Sequence, residues 1–153
     1  MIYIKLKGGL GNQMFEYAFA LSLAEKLNDK ICLDMSGISN KTHNVYSLNY
    51  FNIGKIKTVE KTEISKFKKI CLKVINSILY RMENKFGGMT RYKIEKKFQK
   101  IFNKLGFYLC SDGYVKMYQT KSKDKYADGY FQSEKYFKNV EKKIRKVFTV
   151  KEE

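Results

Sequence analysis

Residues that commonly carry metal or redox chemistry are scarce in this sequence. Its 153 residues include three cysteines and one histidine. Cys32, Cys71 and Cys110 lie far apart, which fits neither a disulfide framework nor the paired Cys-x-x-Cys spacing of a zinc site. We expect three reduced cysteines that pack as small hydrophobic residues. The single histidine, His43, lies in a polar segment where no nucleophile can be paired with it, so we expect it to take no part in catalysis.

Long apolar runs are also absent. No stretch approaches the roughly 18 apolar residues of a membrane-spanning helix, and no basic and apolar leader with a small-residue cleavage site is visible. These absences predict a cytoplasmic protein. Hydrophobic residues nevertheless make up 44% of the chain and aromatic residues 15%, which is typical of a folded domain with one core. We therefore expect a single α/β domain over residues 1–153.

Arginine is the third scarce residue type, and its scarcity bears on the choice of partner. The formal net charge is +16, but only Arg81, Arg91 and Arg145 are arginines among the 31 basic residues. Surfaces that clamp phosphates or read bases rely on the two-pronged arginine fork, so nucleic acid is a disfavoured partner. The excess is also concentrated, because residues 55–105 hold 15 Lys and Arg against 4 Asp and Glu.

A glycine-rich turn near the start is the most informative feature that the sequence does contain. Residues 2–7 alternate between strongly apolar side chains and Tyr or Lys, which predicts a half-buried strand, and the proline-free stretch 14–27 predicts a helix. Glycines let a ligand approach the main chain, a helix N-terminus offers free N–H groups to an anion, and amides both donate and accept hydrogen bonds. We predict that a phosphate or sugar binds five residues of this turn: Gly8, Gly9, Gly11, Asn12 and Gln13.

The turn matches neither of the two common nucleotide-binding loops. A Walker A loop ends in Gly-Lys followed by Ser or Thr, and a dinucleotide loop of the form Gly-x-Gly-x-x-Gly requires glycine where Met14 stands. The one feature that supports a dinucleotide-binding domain is Asp34. It follows the apolar run 31–33, at a position where such domains can have an acid that binds ribose. A turn that merely joins a strand to a helix is the other alternative.

The segment Gly-Gly-Leu-Gly-Asn-Gln-Met-Phe at residues 8–15 resembles glycosyltransferase family 11, the α-1,2-fucosyltransferases, and the likeness extends over residues 7–27. Two weaker matches follow in the same order along the chain. The first match consists of Tyr46-Ser47-Leu48 and Phe51-Asn52-Ile53. The second consists of residues 129–137 and Phe148-Thr149. The resemblance therefore spans the whole chain.

This resemblance implies a Rossmann-like N-terminal domain of a GT-B glycosyltransferase. Such an enzyme transfers L-fucose from GDP-fucose to the 2-hydroxyl of a galactoside, with inversion at the anomeric carbon. The five residues of the glycine turn would contact donor or acceptor in a cleft between two domains. No cofactor and no metal is implied, and the sequence holds no Asp-x-Asp.

The chemistry needs a general base and groups that stabilise the departing diphosphate. Four carboxylates are candidates for the base, and none stands out: Glu16, Asp34, Asp112 and Asp128.

Two departures from the family pattern affect this interpretation. The His-x-Arg-Arg-Gly-Asp motif, thought to hold the nucleotide diphosphate in the family, does not occur in the sequence. We therefore expect the chain to correspond to the N-terminal half of such an enzyme, inactive alone, with a complementing C-terminal half as a partner. The second departure is Glu16, where the family usually has glutamine. Glu16 lies either in solvent or toward the cleft, and we expect it in solvent, because an acid is favourable near a helix N-terminus.

The basic region predicts an amphipathic helix pair, interrupted at Gly87-Gly88. We expect the apolar faces of both helices to pack in the core with their lysines free. The alternative is a basic amphipathic surface that lies peripherally on an anionic membrane. The apolar residues at helical spacing are Ile64, Phe67, Cys71, Val74, Ile78 and Leu79 in the first run, and Ile94, Phe98, Ile101, Phe102 and Leu105 in the second.

Shorter patterns describe the rest of the chain. Residues 36–50 are predicted to form a long polar loop, residues 107–110 and 115–118 two short strands, and residues 126–132 a strand that leads into a loop. Ser133 is expected to cap a helix that reaches residue 148. Four aromatic residues there suit either stacking on a sugar or base or packing in the core: Tyr130, Phe131, Tyr136 and Phe137.

A function of another class remains open at this point. The lysines between residues 55 and 104 also suit a non-catalytic basic module that binds glycan, anionic membrane or nucleic acid. Salt separates the two classes, because electrostatic binding weakens steeply with ionic strength and contacts through glycine amides do not.

Overall fold

The computed structural model describes residues 1–39 and 44–151 and consists of one sheet with helices on both faces. His43 lies outside the described residues. All four pairings within the sheet are parallel, and the strand order is β3-β2-β1-β5-β4. The prediction of an α/β fold is confirmed, and the sheet is compatible with a Rossmann-like domain. The strands are β1 (Ile2–Lys7), β2 (Ile31–Gly37), β3 (Lys57–Val59), β4 (Phe107–Cys110) and β5 (Lys125–Gly129), and the helices are α1 (Leu10–Leu27), α2 (Lys66–Phe86), α3 (Met89–Lys104) and α4 (Glu141–Val147).

The sheet is covered on both faces, which corrects the prediction that β1 is half-buried. Ile2, Ile4 and Leu6 pack in the core shared with α1. Tyr3 is also buried, because α2 and α3 cover the other face, where it packs with Phe107. Burial on both sides is the usual condition of a parallel sheet, whose crossover helices must lie on its faces.

Helix α1 begins at Leu10, four residues earlier than predicted. Gly9 is its N-cap residue, and among the residues that the structure describes no side chain caps it. Only Gly8 has a positive φ in this turn, at 72°. Gly11 and the two amide residues after it therefore belong to the first helical turn rather than to a loop.

Helices α2 and α3 form a hairpin across one face of the sheet. The Ser65 hydroxyl accepts a hydrogen bond from the N–H of Lys68 at 3.3 Å and so caps α2, while Gly87, with φ of 94°, ends it. The side chains that reach the core from α2 include Leu72, Ile75 and Leu79.

The predicted apolar face of this hairpin is only partly correct. Ile64 and Leu79 are buried, but Phe67 is 72% exposed, and Val74 and Ile78 are each 52% exposed. The apolar arc of α2 is wider than its contact with the sheet, so helical spacing did not reveal which part faces inward. On α3 the same error affects Phe98, Ile101 and Leu105, which are exposed.

Two further predictions about the second half of the chain are wrong. Residues 115–118 are not a strand, because side chains take the backbone groups that a strand partner would use. The N–H of Val115 donates to the Tyr136 hydroxyl at 2.8 Å, and that of Tyr118 donates to Asn103 Oδ1 at 2.7 Å. The last helix starts at Glu141 rather than at Ser133, and two short 3-10 turns, Glu134–Tyr136 and Lys138–Val140, precede it.

The loop after β2 is shorter than predicted, and the cysteines are reduced as expected. Strand β2 extends to Gly37, so the predicted loop starts later, and a 3-10 turn at Leu48–Tyr50 interrupts it. All three cysteines are free, with Cys32 and Cys110 buried. Over the described ranges 1–39 and 44–151, no helix has the length and apolar character needed to cross a bilayer. In the same ranges no three His, Cys, Asp or Glu side chains gather in a group that could hold a metal ion.

Candidate functional site

Strand order places a crevice at the carboxyl ends of β1 and β5. The chain runs outward from β1 to β2 and β3 on one side, and β5 and β4 lie on the other. In open parallel sheets, ligands bind outside the carboxyl ends of the strands where the order reverses. The glycine turn follows β1 at this edge, Tyr130 follows β5, and Ser111 follows β4.

The glycine turn exposes the N-terminal end of α1 to this crevice. A side chain at Gly8 would collide with the amide of Asn12, whereas one at Gly11 would meet no atom of the described residues within 4 Å. Asn12 Oδ1 accepts a hydrogen bond from Gln132 Nε2 at 2.7 Å, which ties the turn to the loop after β5. Because no side chain within the described ranges caps the helix, its first N–H groups and the open space at Gly11 can receive an anion or a sugar hydroxyl.

Gln13 supports the turn from inside the protein. Its side chain is fully buried, and its Nε2 donates to the carbonyls of Gly8 at 3.0 Å and Val45 at 2.8 Å. Its Oε1 accepts from the N–H of Ser47 at 3.0 Å. These three bonds hold the segment before Leu48 against the glycine turn, so the amide of Gln13 is not free for a ligand in this conformation.

Glu16 is buried, and the expectation that it lies in solvent is wrong. Since α1 begins at Leu10, Glu16 stands in the second turn and faces the end of β1. Its Oε2 accepts a hydrogen bond from the N–H of Lys7 at 3.0 Å, while its Oε1 has no hydrogen-bond partner among the described residues. Burial raises the pKa of this carboxyl to about 9, against the opposing effect of the bond from Lys7. Glu16 is therefore protonated at neutral pH.

A polar cleft of about 500 Å³ opens at the same edge, on the α2–α3 side of the sheet. Asp128 lies at its base with its side chain 12% exposed, and the Nζ atoms of Lys7 and Lys5 lie 2.7 and 3.6 Å from its two oxygens. Burial alone would raise the pKa of Asp128, but the two ammonium groups outweigh burial and lower it. The Lys7 ammonium also lies 4.6 Å from the centre of the Tyr130 ring.

A buried carboxylate holds the opposite wall of the cleft. Glu95 is fully buried and accepts hydrogen bonds from Arg91 Nε at 2.9 Å and from the N–H and hydroxyl of Ser111 at 2.6 and 2.7 Å. Arg91 also donates to Asn76 Oδ1 at 3.1 Å. These bonds fix the guanidinium at the cleft, where it adds to the positive charge of Lys5 and Lys7.

Sequence reasoning did not single out these cations. One usable signal was Lys5 and Lys7 near the end of the first strand, where parallel sheets bind ligands. The other was Arg91, one of three arginines in a chain rich in lysine. Glu95 carried no signal, because a carboxylate on a charged helix is normally solvated.

The other candidate bases lie away from the cleft. Asp34 is buried within β2, where its Oδ1 accepts from the N–H of Ser36 at 2.9 Å. Asp112 is exposed in the turn after β4 and accepts from the N–H of Gly113 at 2.8 Å. Asp128 is the member of the predicted group that lines the cleft.

Of the aromatic residues after β5, some pack in the core and one is available to stack on a ligand. The ring of Phe131 is buried and stacks on Phe19 with centroids 3.8 Å apart, and Tyr136 is buried as well. Phe137 lies partly buried against the core. Tyr130 is 36% exposed and lines the cleft, so it is the ring available to stack on a ligand.

Fold and site together define a parallel α/β domain with a crevice suited to an anion or a sugar. The chain is similar to two curated glycosyltransferases of Escherichia coli. It is 28% identical to an alpha-1,2-colitosyltransferase over 154 residues, which cover 97% of this chain and 45% of the relative. It is 38% identical to the O-antigen biosynthesis glycosyltransferase WbnK over 117 residues, 67% of this chain and 36% of the relative.

These homologues support a role in sugar transfer at the general level. The chain spans less than half the length of either relative. No family model matches the chain, and no solved structure matches it.

Proposed function

We propose that this chain is the N-terminal domain of an inverting α-1,2-glycosyltransferase of the fucosyltransferase type, which moves L-fucose from GDP-fucose to the 2-hydroxyl of a galactoside. The observation that carries the proposal is that the N-terminus of α1, which no described side chain caps, and the Lys7–Asp128 pair both lie at the carboxyl edge of the sheet. Similarity to an α-1,2-specific transferase over nearly the whole chain supports it.

In this proposal Asp128 accepts the proton of the acceptor hydroxyl. Inversion requires one direct attack of that hydroxyl on the anomeric carbon, with a base on one side and the departing diphosphate on the other. Asp128 is ionised at neutral pH, because Lys7 and Lys5 lower its pKa. The carboxylate has room to receive a hydroxyl, since its side chain borders the cleft.

The open end of α1 serves the charge that develops on the donor. Its first N–H groups are donors that need no rearrangement during the reaction, whereas Lys5 and Lys7 are engaged with Asp128. Fixed donors of this kind stabilise a leaving diphosphate. Gly8, Gly9, Gly11 and Asn12 would bind substrate directly, and Gln13 would hold the turn in place.

The similarity to an alpha-1,2-colitosyltransferase means that a second donor sugar must be considered. Colitose is L-fucose without the 3-hydroxyl, so a fucose-type site and a colitose-type site differ at one group. A site that hydrogen-bonds the 3-hydroxyl rejects the deoxy sugar strongly, whereas a site that leaves this position apolar discriminates little. We expect GDP-fucose to be the preferred donor.

Binding to the chain itself tests the proposal. Amide chemical shifts of isotope-labelled protein would be followed while methyl β-galactoside, GDP-fucose or GDP-colitose is added. We expect shifts at Gly9, Gly11 and Asn12 and around Asp128, and weaker galactoside binding in Asp128→Asn. The matched control is Asp112→Asn, an exposed carboxylate outside the cleft. Absence of any shift at these residues with all three compounds would exclude a substrate site here.

A further inference from the structure

The surface of α2 that faces away from the sheet carries a row of large apolar side chains. At about 100° per residue they fall within an arc of about 80°. Core contacts are made from the adjoining side of the helix, by Cys71, Leu72, Ile75 and Leu79. The four exposed side chains are Phe67 (72% exposed), Ile70 (61%), Val74 (52%) and Ile78 (52%).

The same outward surface is strongly basic. Its five cations are all exposed, and in the part of the chain that the structure describes none forms an ion pair. Glu83 is the one carboxylate of α2, and it lines the polar cleft instead. The five cations are Lys66, Lys69, Lys73, Arg81 and Lys85.

The neighbouring helix extends this positive surface. The one carboxylate of α3, Glu95, is buried under its bonds to Arg91 and Ser111. No negative charge of either helix therefore reaches the exposed side of the hairpin. Five exposed lysines of α3 add to the field: Lys93, Lys96, Lys97, Lys100 and Lys104.

We propose that this outward surface of α2 binds the surface of an anionic phospholipid bilayer. Phe67, Ile70, Val74 and Ile78 insert at the boundary between headgroups and acyl chains, and the flanking lysines contact lipid phosphates. An anionic bilayer complements both properties of the face, since it offers apolar depth beneath a layer of negative charge. This inference does not depend on the proposed function.

Two other partners complement only half of the face. Nucleic acid supplies negative charge but no apolar surface for four exposed aliphatic and aromatic side chains. Proteins that bind nucleic acid also favour arginine over lysine. A second copy of the same face supplies apolar contact but brings five cations against five, and like charges across an interface are unfavourable.

The absence of tryptophan from the chain allows a direct test of insertion. Ile70→Trp places a single indole on the proposed face, and Tyr50→Trp places one at another exposed position, which is 63% exposed. With vesicles of phosphatidylcholine and phosphatidylglycerol, we expect the emission of Ile70→Trp to shift to the blue and to resist an aqueous quencher. We expect no change with phosphatidylcholine alone, and none for Tyr50→Trp with either vesicle.

Vesicle sedimentation gives the contribution of each property. Lys69→Gln/Lys73→Gln should weaken binding roughly 30-fold, at about one kcal/mol for each lysine near the surface. Phe67→Ser/Ile70→Ser should weaken it about tenfold or more. The matched charge control, Lys138→Gln/Lys142→Gln, removes two exposed lysines elsewhere and should change binding less than twofold. All changed side chains are exposed, and circular dichroism verifies that each variant is folded.

Three results would overturn the inference. The first is an unchanged Ile70→Trp spectrum with anionic vesicles. The second is tight DNA binding together with vesicle binding that falls in Lys69→Gln/Lys73→Gln but not in Phe67→Ser/Ile70→Ser, which would mean a purely electrostatic surface. The third is a self-associated chain that binds no vesicles and becomes monomeric in Phe67→Ser/Ile70→Ser, which would assign the face to a second copy.

Discussion

At the scale of single residues, Glu16 is the side chain whose environment differs most from its chemistry. It is a carboxyl group sealed between the end of β1 and α1, with one oxygen bonded to the N–H of Lys7. Because it is protonated at neutral pH, it is neutral and has nearly the shape of glutamine. The group beneath the glycine turn is therefore uncharged, although its side chain is a carboxylic acid.

Glu16→Gln should change how stability depends on pH. The folded-state pKa of about 9 lies above the ordinary value of 4.5, so the stabilising contribution of Glu16 is complete below 4.5 and is lost as pH rises toward 9. Each pH unit in that window costs up to about 1.4 kcal/mol. The glutamine variant lacks this loss, and urea unfolding should show it to be more stable than wild type at pH 8.

The control for this change is Glu25→Gln, an exposed carboxyl on the same helix. In this control the free energy of unfolding should fall between pH 5 and pH 8 with the same slope as in wild type. Both pH values lie inside the window given above. If Glu16→Gln and wild type gave parallel curves, Glu16 would be ionised in the folded protein.

The glycines of the turn separate stability from binding. Gly8→Ala should destabilise the protein by about 1–2 kcal/mol or more, because the positive φ is unfavourable for alanine and its side chain would collide with Asn12. Gly11→Ala should raise stability by about 0.5–1 kcal/mol, because alanine favours the helix and the new methyl meets open space. The midpoint of thermal unfolding measures both changes.

Ligand binding then tests the role of the space at Gly11. If substrate approaches the main chain there, Gly11→Ala binds galactoside or GDP-fucose more weakly although it is the more stable protein. Binding equal to wild type would place the ligand away from this glycine.

At the scale of elements, α2 shows how two adjacent residues can face opposite environments. Leu79 is 1% exposed and packs on the sheet, while Ile78 is 52% exposed. Both belong to the apolar series from which the inward face was predicted. Packing against the sheet, rather than the apolar periodicity, decided which part of the wide apolar arc is buried.

Replacing each of these two residues by alanine measures that orientation. Leu79→Ala should cost about 2–5 kcal/mol, because it leaves a cavity in the core. Ile78→Ala should stay within about 0.5 kcal/mol of wild type, as is usual for an exposed site. Urea unfolding gives both values, and equal costs would mean that α2 packs in another rotation.

At the scale of the whole molecule, the proposed function requires this domain to work within a larger enzyme. A chimera would carry this chain in place of the matching segment of the E. coli alpha-1,2-colitosyltransferase. We expect it to transfer sugar to a galactoside, and Asp128→Asn within it to lower kcat by about 10²–10⁴ with a smaller effect on KM. Mass spectrometry of the product measures transfer.

The same chimera with Asp112→Asn is the matched control, since Asp112 lies outside the cleft. Its kcat should equal that of the parent chimera. An Asp128→Asn chimera as active as its parent would remove Asp128 from the role of base, and the cleft would then serve binding alone.

Local patterns along the chain were enough to predict that a first strand, a glycine turn and a helix follow one another. Those features are local: alternation of side chains, the φ of Gly8 and an unbroken helical run depend on neighbours along the chain. The breaks at Gly87 and the end of α3 at Leu105-Gly106 have the same origin. Similarity to glycosyltransferases was visible in this segment for the same reason, because the residues that form the turn are contiguous.

Features that depend on distant partners could be seen only in the packed protein. Lys7 and Asp128 form their ion pair across 121 positions of the chain, and parallel pairing of β1 with β5 brings them together. Glu16 became neutral because the sheet removed it from water, and residues 115–118 failed to form a strand because Tyr136 and Asn103 took their N–H groups. Charge state, burial and pairing are properties of the packed molecule, and periodicity along the chain does not encode them.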